Sequence, residues 1–94
     1  MIPVMNETNR SVRINGMTRY LTPKEFGILK FLSTHPNEIY TSDDIYRNVW
    51  KDVPFATEGV IAVHLRHLRE KIEEDPSEPR FLRSYWGKGY SFVK

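Results

Sequence analysis

Residues 57–74 read TEGVIAVHLRHLREKIEE, and this stretch decides the fold. Ile61, Leu65, Leu68 and Ile72 recur at the three- and four-residue intervals that place side chains on one side of an α-helix. Two prolines follow shortly afterwards and cannot continue the pattern. We therefore predict that residues 57–74 form a helix whose apolar side packs in the core.

The opposite side of this helix combines small, apolar and basic residues, which a solvated surface rarely shows. A DNA major groove suits this combination, because valine methyl groups can meet thymine methyls, and arginine and histidine can donate to base acceptors or phosphates. Packing against another protein is the alternative that the helix alone leaves open. The residues concerned are Gly59, Val60, Val63, Arg66, His67 and Glu70.

A shorter helix and a loop precede this stretch. Residues 41–44 (Thr-Ser-Asp-Asp) supply a hydroxyl N-cap and acidic groups for the first turn of a helix. Ile45, Val49 and Trp50 mark the inner side of about three turns. Residues 51–56 contain a proline that cannot extend the helix, so they predict a loop.

Another helix lies further upstream. Residues 22–25 (Thr-Pro-Lys-Glu) form a capping box with proline at the first helical position. The apolar stripe continues through Phe26, Leu29 and Leu32, and a Pro-Asn pair ends the helix after His35. We expect this helix to contribute mostly core.

Alternating residues predict an antiparallel sheet at the N-terminus. Polar and apolar residues alternate over 11–15, and the Asn-Gly pair at 15–16 favours a type I′ hairpin with a return strand over 17–21. Residues 3–5 begin with proline, which is tolerated on an edge strand. The chain therefore opens with a small antiparallel sheet.

The C-terminal region is β-rich and carries charge of one sign. Residues 80–85 and 90–93 flank Trp-Gly-Lys-Gly at 86–89, which predicts a closing hairpin. The elements together predict an α+β fold with an N-terminal antiparallel sheet, three helices and a C-terminal β-hairpin, the layout of a winged helix-turn-helix. From residue 80 onward the charged residues are Arg80, Arg83, Lys88 and Lys94.

Composition limits the functional classes. With 94 residues, 39% hydrophobic, the chain suffices for one domain with one core. The absence of cysteine excludes a disulfide framework, a thiolate zinc site and a cysteine nucleophile. No signal-peptide pattern or membrane-length apolar run is present, so we expect a cytoplasmic protein without a membrane partner. The net charge of +2 agrees with a polyanionic partner without requiring one.

Three segments together resemble the effector domain of OmpR/PhoB-type response regulators. They are Leu-Thr-Pro-Lys-Glu-Phe at 21–26 with Leu29, Val-His-Leu-Arg-His-Leu-Arg at 63–69 with Lys71 and Ile72, and Gly-Lys-Gly-Tyr at 87–90. The resemblance covers the chain from Arg10 onward. It implies bacterial transcription regulation within a two-component phosphorelay, and a hairpin that pairs with a short strand between the first two helices.

In this family the third helix enters the major groove, the hairpin is the wing, and the loop before the third helix contacts RNA polymerase. The resemblance and the helix pattern together predict a DNA-binding set comprising Trp50, Gly59, Val60, Val63, His64, Arg66, His67, Arg69, Arg83, Ser84, Trp86, Lys88 and Tyr90. The implied polymerase-contact loop comprises Lys51, Asp52, Val53, Pro54, Phe55 and Ala56.

Four positions depart from the family pattern. Gly59 and His67 stand where arginine is frequent, Ala62 replaces a frequent aspartate, and Trp86 replaces the wing arginine. Arg66 and Lys88 are hypothesised to compensate for His67 and Trp86, respectively. The sequence of the third helix and wing resembles that of a Gram-positive branch that includes vancomycin-resistance-type regulators. Because the four positions differ from the family pattern, base recognition cannot be transferred from the family to this chain.

The implied partners are double-stranded promoter DNA, RNA polymerase and a second copy on tandem half-sites. No receiver-like βα repeat precedes the domain, so the chain is expected to be either an excised effector domain or a stand-alone regulator. The alternative interpretation is a winged helix that serves as a protein-interaction module, because the four departures from the family pattern lower the expected phosphate affinity.

An enzyme or metalloprotein has less support. His64 and His67 lie near Glu70 and Glu74 at helical spacing, but two histidines on a basic helix are poor evidence for a metal site. The acidic run Glu73-Glu74-Asp75 is interpreted as a solvated helix end. No catalytic residue, cofactor or metal is expected.

Overall fold

The computed structural model describes residues 2–94 and has the predicted α+β architecture. Three strands come first, three helices follow, and a two-stranded hairpin closes the order of elements in this part of the chain. The elements are β1 (Val4–Asn6), β2 (Ser11–Ile14), β3 (Met17–Tyr20), α1 (Pro23–Thr34), α2 (Ser42–Trp50), α3 (Thr57–Ile72), β4 (Leu82–Tyr85) and β5 (Gly89–Phe92).

The N-terminal sheet is antiparallel in the order β1-β2-β3. Asn15 and Gly16 have φ values of 50° and 76°, the positive pair that a type I′ turn requires. Ile14 consequently pairs with Met17. The hairpin and the edge position of the first strand are confirmed.

The predicted capping box of α1 is present, and the predicted N-cap of α2 forms a second one. The Thr22 hydroxyl accepts from the Glu25 N–H at 3.2 Å, and the Glu25 carboxylate accepts from the Thr22 N–H at 3.0 Å. Thr41 and Asp44 form the equivalent pair at the start of α2, with both bonds at 3.1 Å. These reciprocal bonds satisfy N–H groups that a helix start leaves free and fix where α1 and α2 begin.

The core lies where the three helices meet the base of the hairpin. The four apolar residues predicted on the inner side of α3 are all buried. A Cβ at Gly27 would lie 2.9 Å from Val49, so α1 and α2 approach closely at that point. The buried cluster comprises Val12, Leu21, Phe26, Ile28, Leu29, Leu32, Ile45, Ile61, Leu65, Leu68, Ile72, Leu82 and Phe92.

Helix α3 ends at Ile72, two residues before the predicted end. Glu73 is extended, with φ −88° and ψ 142°, and it is buried. Its carboxylate accepts from the N–H groups of Arg80, Phe81 and Leu82. The interpretation of Glu73 as part of a solvated helix end is therefore wrong, because these three donors hold it away from solvent.

The C-terminal hairpin joins the segment between α1 and α2, as the family resemblance implied. Tyr40 and Tyr90 exchange two backbone hydrogen bonds, both 2.8 Å long. A Cβ at Gly89, which has φ +139°, would lie 2.2 Å from the Tyr40 carbonyl oxygen. Glycine is required there because the two backbones touch.

Candidate nucleic-acid interface

The side of α3 that faces away from the core is open to solvent. Val60 and Val63 are 40% and 45% exposed, and Arg66 and Glu70 are exposed further along the helix. A Cβ at Gly59 would meet nothing within 4 Å. The helix thus presents two apolar side chains, an arginine and a flat glycine surface together, as the pattern predicted.

His67 lies at the edge of this open surface, with its side chain 45% exposed. Its Nδ1 lies 4.0 Å from the carboxylate of Glu25, at the start of α1. Lys71, one turn later, donates to the same carboxylate at 2.6 Å. The buried Glu25 carboxylate therefore lies against this flank of α3. Arg66 is accordingly the more accessible of the two predicted donors.

Glu25 is a charged group held by several donors. Burial alone would raise the pKa of its carboxyl, but the Lys71 ammonium and the Thr22 N–H outweigh burial and lower that pKa. The carboxylate therefore stays ionised and connects the C-terminal half of α3 to the start of α1.

Trp50 forms an aromatic cluster on the flank of α3. Its ring stacks on Tyr46 with centroids 4.8 Å apart, and the His64 ring meets it edge-on at 5.2 Å. The Lys24 ammonium lies 5.1 Å from the Trp50 ring centroid. His64 Nδ1 is 2.8 Å from the Val60 carbonyl oxygen, which can only accept, so this nitrogen carries the hydrogen. Trp50 and His64 are thus held together, as phosphate contacts on one backbone would need.

The wing presents polar and aromatic groups at its tip. Trp86 is 98% exposed, and Arg83, Ser84 and Lys88 are exposed. Tyr90 is half-buried where the hairpin meets Tyr40. A fully exposed tryptophan loses apolar contact with the protein and remains available to another surface.

A cleft of about 500 Å³ separates the wing from the first turns of α2 and α3. Thr41 and Ser42 line one side, and Trp86 and Lys88 line the other. Glu58 of α3 also lines this cleft and places a carboxylate beside the wing. The Lys88 ammonium group belongs to the opposite wall of the same cleft.

Arg69 is turned toward the wing. Its Nε donates to the Leu82 carbonyl at 2.9 Å, and its Nη2 donates to the Ser84 hydroxyl at 2.8 Å. Burial lowers the pKa of Arg69, an effect that Tyr90 and Glu73 oppose, and an arginine so placed remains charged. Of the predicted DNA-binding arginines, Arg69 is thus the one engaged within the protein.

The loop from Lys51 to Ala56 is bounded by two left-handed residues, with φ 59° at Lys51 and 51° at Ala56. Val53 and Phe55 are 81% and 89% exposed. The loop therefore displays two apolar side chains to solvent just before α3 begins.

Residues 2–94 contain neither a metal-ligand cluster nor a membrane-spanning helix. Within this range no group of three or more His, Cys, Asp or Glu side chains could hold a metal ion. No helix in the described part of the chain is long and apolar enough to span a membrane.

Sequence reasoning missed three polar contributions to this region. They are Glu25 as the partner of His67 and Lys71, Glu73 as the acceptor for three backbone groups, and Glu58 beside the wing. Glu25 had a visible signal, since the capping box placed it at a helix start. The contacts of Glu58 and Glu73 depend on how distant segments pack, and local spacing carries no such information.

Comparisons with known proteins agree with this geometry. Residues 16–92 match the family described as "Transcriptional regulatory protein, C terminal". The chain is 43% identical over 82 residues to the uncharacterised transcriptional regulatory protein YcbL of Bacillus subtilis, covering 87% of this chain and 36% of YcbL. It is 33% identical over 92 residues to the regulatory protein VanR of Enterococcus faecium, covering 97% of this chain and 40% of VanR.

Solved structures share the fold. The response regulator DrrB of Thermotoga maritima, an OmpR/PhoB homologue, superposes with a TM-score of 0.84 at 29% identity over 98% of this chain and 42% of its own. The DNA-binding domain of Klebsiella pneumoniae RstA, solved in complex with the RstA box, gives a TM-score of 0.85 at 25% identity, covering 97% and 90%.

The chain spans well under half the length of YcbL, VanR and DrrB. The matching family model describes the C-terminal part of transcriptional regulatory proteins, and the family is one of regulators rather than enzymes. The chain belongs to the C-terminal family of transcriptional regulatory proteins, the winged-helix DNA-binding effector domains of OmpR/PhoB-type response regulators that control transcription.

Proposed function

We propose that this domain binds promoter DNA with α3 in the major groove and the wing against the adjacent minor groove. The observation that carries the proposal is the open face of α3, where Val60, Val63 and Arg66 lie together beside a wing tip with exposed Lys88. Val60 and Val63 would meet thymine methyl groups, and Arg66 would donate to a base or phosphate.

Phosphate contacts would flank this base-reading surface. Trp50 and His64 are held on one side of α3, and Lys88 and Tyr90 lie at the wing on the other. Such contacts position a protein on the duplex without reading sequence. Trp86 would pack against the sugar edges of the minor groove, where the family more often places an arginine.

The test is a fluorescence-anisotropy titration of this domain into duplexes enriched by it from a random-sequence library. Between about 50 and 200 mM salt, a domain that neutralises several phosphates loses affinity steeply. Arg66→Gln should weaken binding by about 1–3 kcal/mol if it reads a base, or lower the salt slope by about one if it meets a phosphate.

Arg13→Gln is the matched control, because Arg13 is also an exposed arginine and lies on β2 of the N-terminal sheet. It should leave affinity and slope unchanged. A folded wild-type domain that fails to bind at low salt, or binds without salt dependence, would instead support the rival protein-interaction module.

A second part of the proposal concerns RNA polymerase, which the loop from Lys51 to Ala56 would contact. Support comes from the exposure of Val53 and Phe55 and from the two left-handed residues that bound the loop. Phe55→Ser should keep DNA affinity and reduce activated transcription by purified polymerase in vitro. Equal loss of DNA affinity would contradict a separate role for the loop.

The remaining partners are proposed at the level of the whole regulator. RstA was solved with its box DNA, and by analogy we expect two copies of this domain on tandem half-sites about one helical turn apart. In the full-length regulator a receiver domain would control this association in the bacterial cytoplasm. Duplexes with the half-sites offset by half a turn should lose cooperative binding.

A further inference from the structure

Two side chains at the C-terminal end of α3, Arg69 in its last turn and Glu73 directly after it, hold strand β4 and the two residues before that strand. Arg69 donates to the Leu82 carbonyl and the Ser84 hydroxyl, at 2.9 and 2.8 Å. Glu73 accepts from the backbone N–H groups of Arg80, Phe81 and Leu82, at 2.7, 3.0 and 2.9 Å. We call this pair of side chains, Arg69 and Glu73, the α3–wing clamp.

Leu82 shows how closely the clamp fits the strand. Its backbone N–H is bonded to Glu73 and its carbonyl to Arg69, so both polar groups of this residue are satisfied by α3. The Leu82 side chain is 1% exposed and lies in the core. The base of the wing is therefore fixed to α3 in position and in direction, because hydrogen bonds depend on angle as well as distance.

Trp86, the most exposed residue of the wing tip, is only two residues beyond Ser84. A small rotation of β4 on α3 would move this tip relative to the base-reading face. When two elements bind one duplex, the second contact forms at an effective concentration set by how well the first element positions it. Fixing the wing in advance also avoids an ordering cost on binding.

We propose that Arg69 is a positioning residue that sets the angle between the recognition helix and the wing, and that it acts on DNA affinity through the wing rather than through a phosphate contact of its own. This inference rests on the proposed function. The geometry favours it because Arg69 is half-buried and two of its donors are already bonded to β4.

The test is a double-mutant cycle in which fluorescence anisotropy measures the affinity of each variant for the enriched duplex. Urea denaturation determines the folded fraction of each variant. Trp86→Ala combined with Lys88→Gln gives a wing-deficient background. Arg69→Gln should reduce affinity on the order of tenfold in the wild-type background, since the wing loses its effective concentration. In the wing-deficient background the same change should have almost no effect on affinity or salt slope.

Arg66→Gln is the matched control, being an exposed arginine one turn earlier on α3. It should weaken binding equally in both backgrounds. Arg69→Lys is a milder variant that keeps the charge but cannot make the forked pair of bonds. It should behave like Arg69→Gln if Arg69 positions the wing.

A direct phosphate contact predicts the opposite results. Arg69→Gln would then lower affinity and salt slope in both backgrounds, and Arg69→Lys would restore most of the binding. Either result overturns the inference while leaving the proposed function intact, because the wild-type salt dependence is measured in the same titrations. A wild-type domain without DNA affinity would overturn both.

Discussion

Helix α3 and the wing are attached to the rest of the domain in different ways. Helix α3 is anchored by aliphatic side chains, and Ile61, Leu65 and Leu68 are fully buried. The wing contributes Leu82 and Phe92 to the core, and Tyr90 packs against it. The wing is also held by backbone pairing with the Tyr40 segment and, at its base, by the α3–wing clamp.

Hydrophobic burial is non-directional, whereas hydrogen bonds and close backbone contacts depend on geometry. The position of α3 should therefore tolerate changes of shape at a cost in stability alone. The position of the wing depends on a few atoms, so changes there should alter DNA binding as well as stability. In the proposed complex the helix would read the site, and the wing would contribute only if these few contacts are kept.

The largest expected effect is on the anchoring of α3. Leu65→Ala should lower the free energy of unfolding by about 2–5 kcal/mol, because it removes buried methyl groups and leaves a cavity. Val63→Ala removes methyl groups from the open face and should change stability by no more than about 0.5 kcal/mol. Urea denaturation measures both. Similar losses for the two variants would contradict the division of α3 into a core side and a binding side.

The next effect is on the close contact of the wing. Gly89→Ala would force a Cβ against the Tyr40 carbonyl at a positive φ, costing about 1–3 kcal/mol. Gly87→Ala also has a positive φ but meets nothing within 4 Å, so it should cost less. Amide hydrogen exchange at Tyr90 should accelerate in Gly89→Ala alone. Unchanged exchange would show that the Tyr40 pairing does not hold the wing.

A smaller effect concerns the ionic part of the attachment of α3. The pKa of Glu25 is lowered in the folded state, so its contribution is present above the unfolded pKa and is lost as pH falls through the folded value. Wild-type stability should therefore fall more steeply below about pH 4.5 than that of Glu25→Gln. Because the Lys71 side chain is 34% exposed, screening limits this difference to about 1 kcal/mol.

Lys71→Gln provides the reciprocal change. Without Lys71, Glu25 should lose the largest of the contributions that lower its pKa, while the Thr22 contribution remains, and the acid dependence should flatten. Urea denaturation at neutral and acidic pH measures both variants. An acid profile for Glu25→Gln as steep as that of the wild type would locate the dependence elsewhere.

Local patterns predicted the elements of this fold well. The capping box at Thr22, the N-cap at Thr41, the Asn-Gly hairpin and the buried stripe of α3 depend on neighbours in sequence, and all are present. The predicted end of α3 was two residues too late, because Glu73 leaves the helix. Its carboxylate accepts from backbone N–H groups seven to nine residues further along the chain. A helix limit set by such a distant partner has no local sequence signal.

The site was predictable in its surfaces and less so in its polar partners. Helical periodicity placed Val63 and Arg66 on the open face, and the family resemblance identified the wing. Neither periodicity nor the resemblance predicted that His67 lies beside Glu25 or that Arg69 turns toward β4. Periodicity gives the direction of a Cβ, whereas the end of a long side chain follows the charges that tertiary packing brings near.

The smallest expected effect lies at the start of α3, where Ala56 adopts a left-handed conformation with φ 51°. An L residue with a Cβ is strained there, so Ala56→Gly should stabilise the domain by about 0.5–1 kcal/mol, despite the added backbone freedom of the unfolded chain. Ala62→Gly, at an exposed position within α3, should cost a similar amount. Urea denaturation of the pair tests the sign. If both variants destabilise the domain, the left-handed conformation of Ala56 carries no net strain. The buried side of α3 alone then determines where the helix begins.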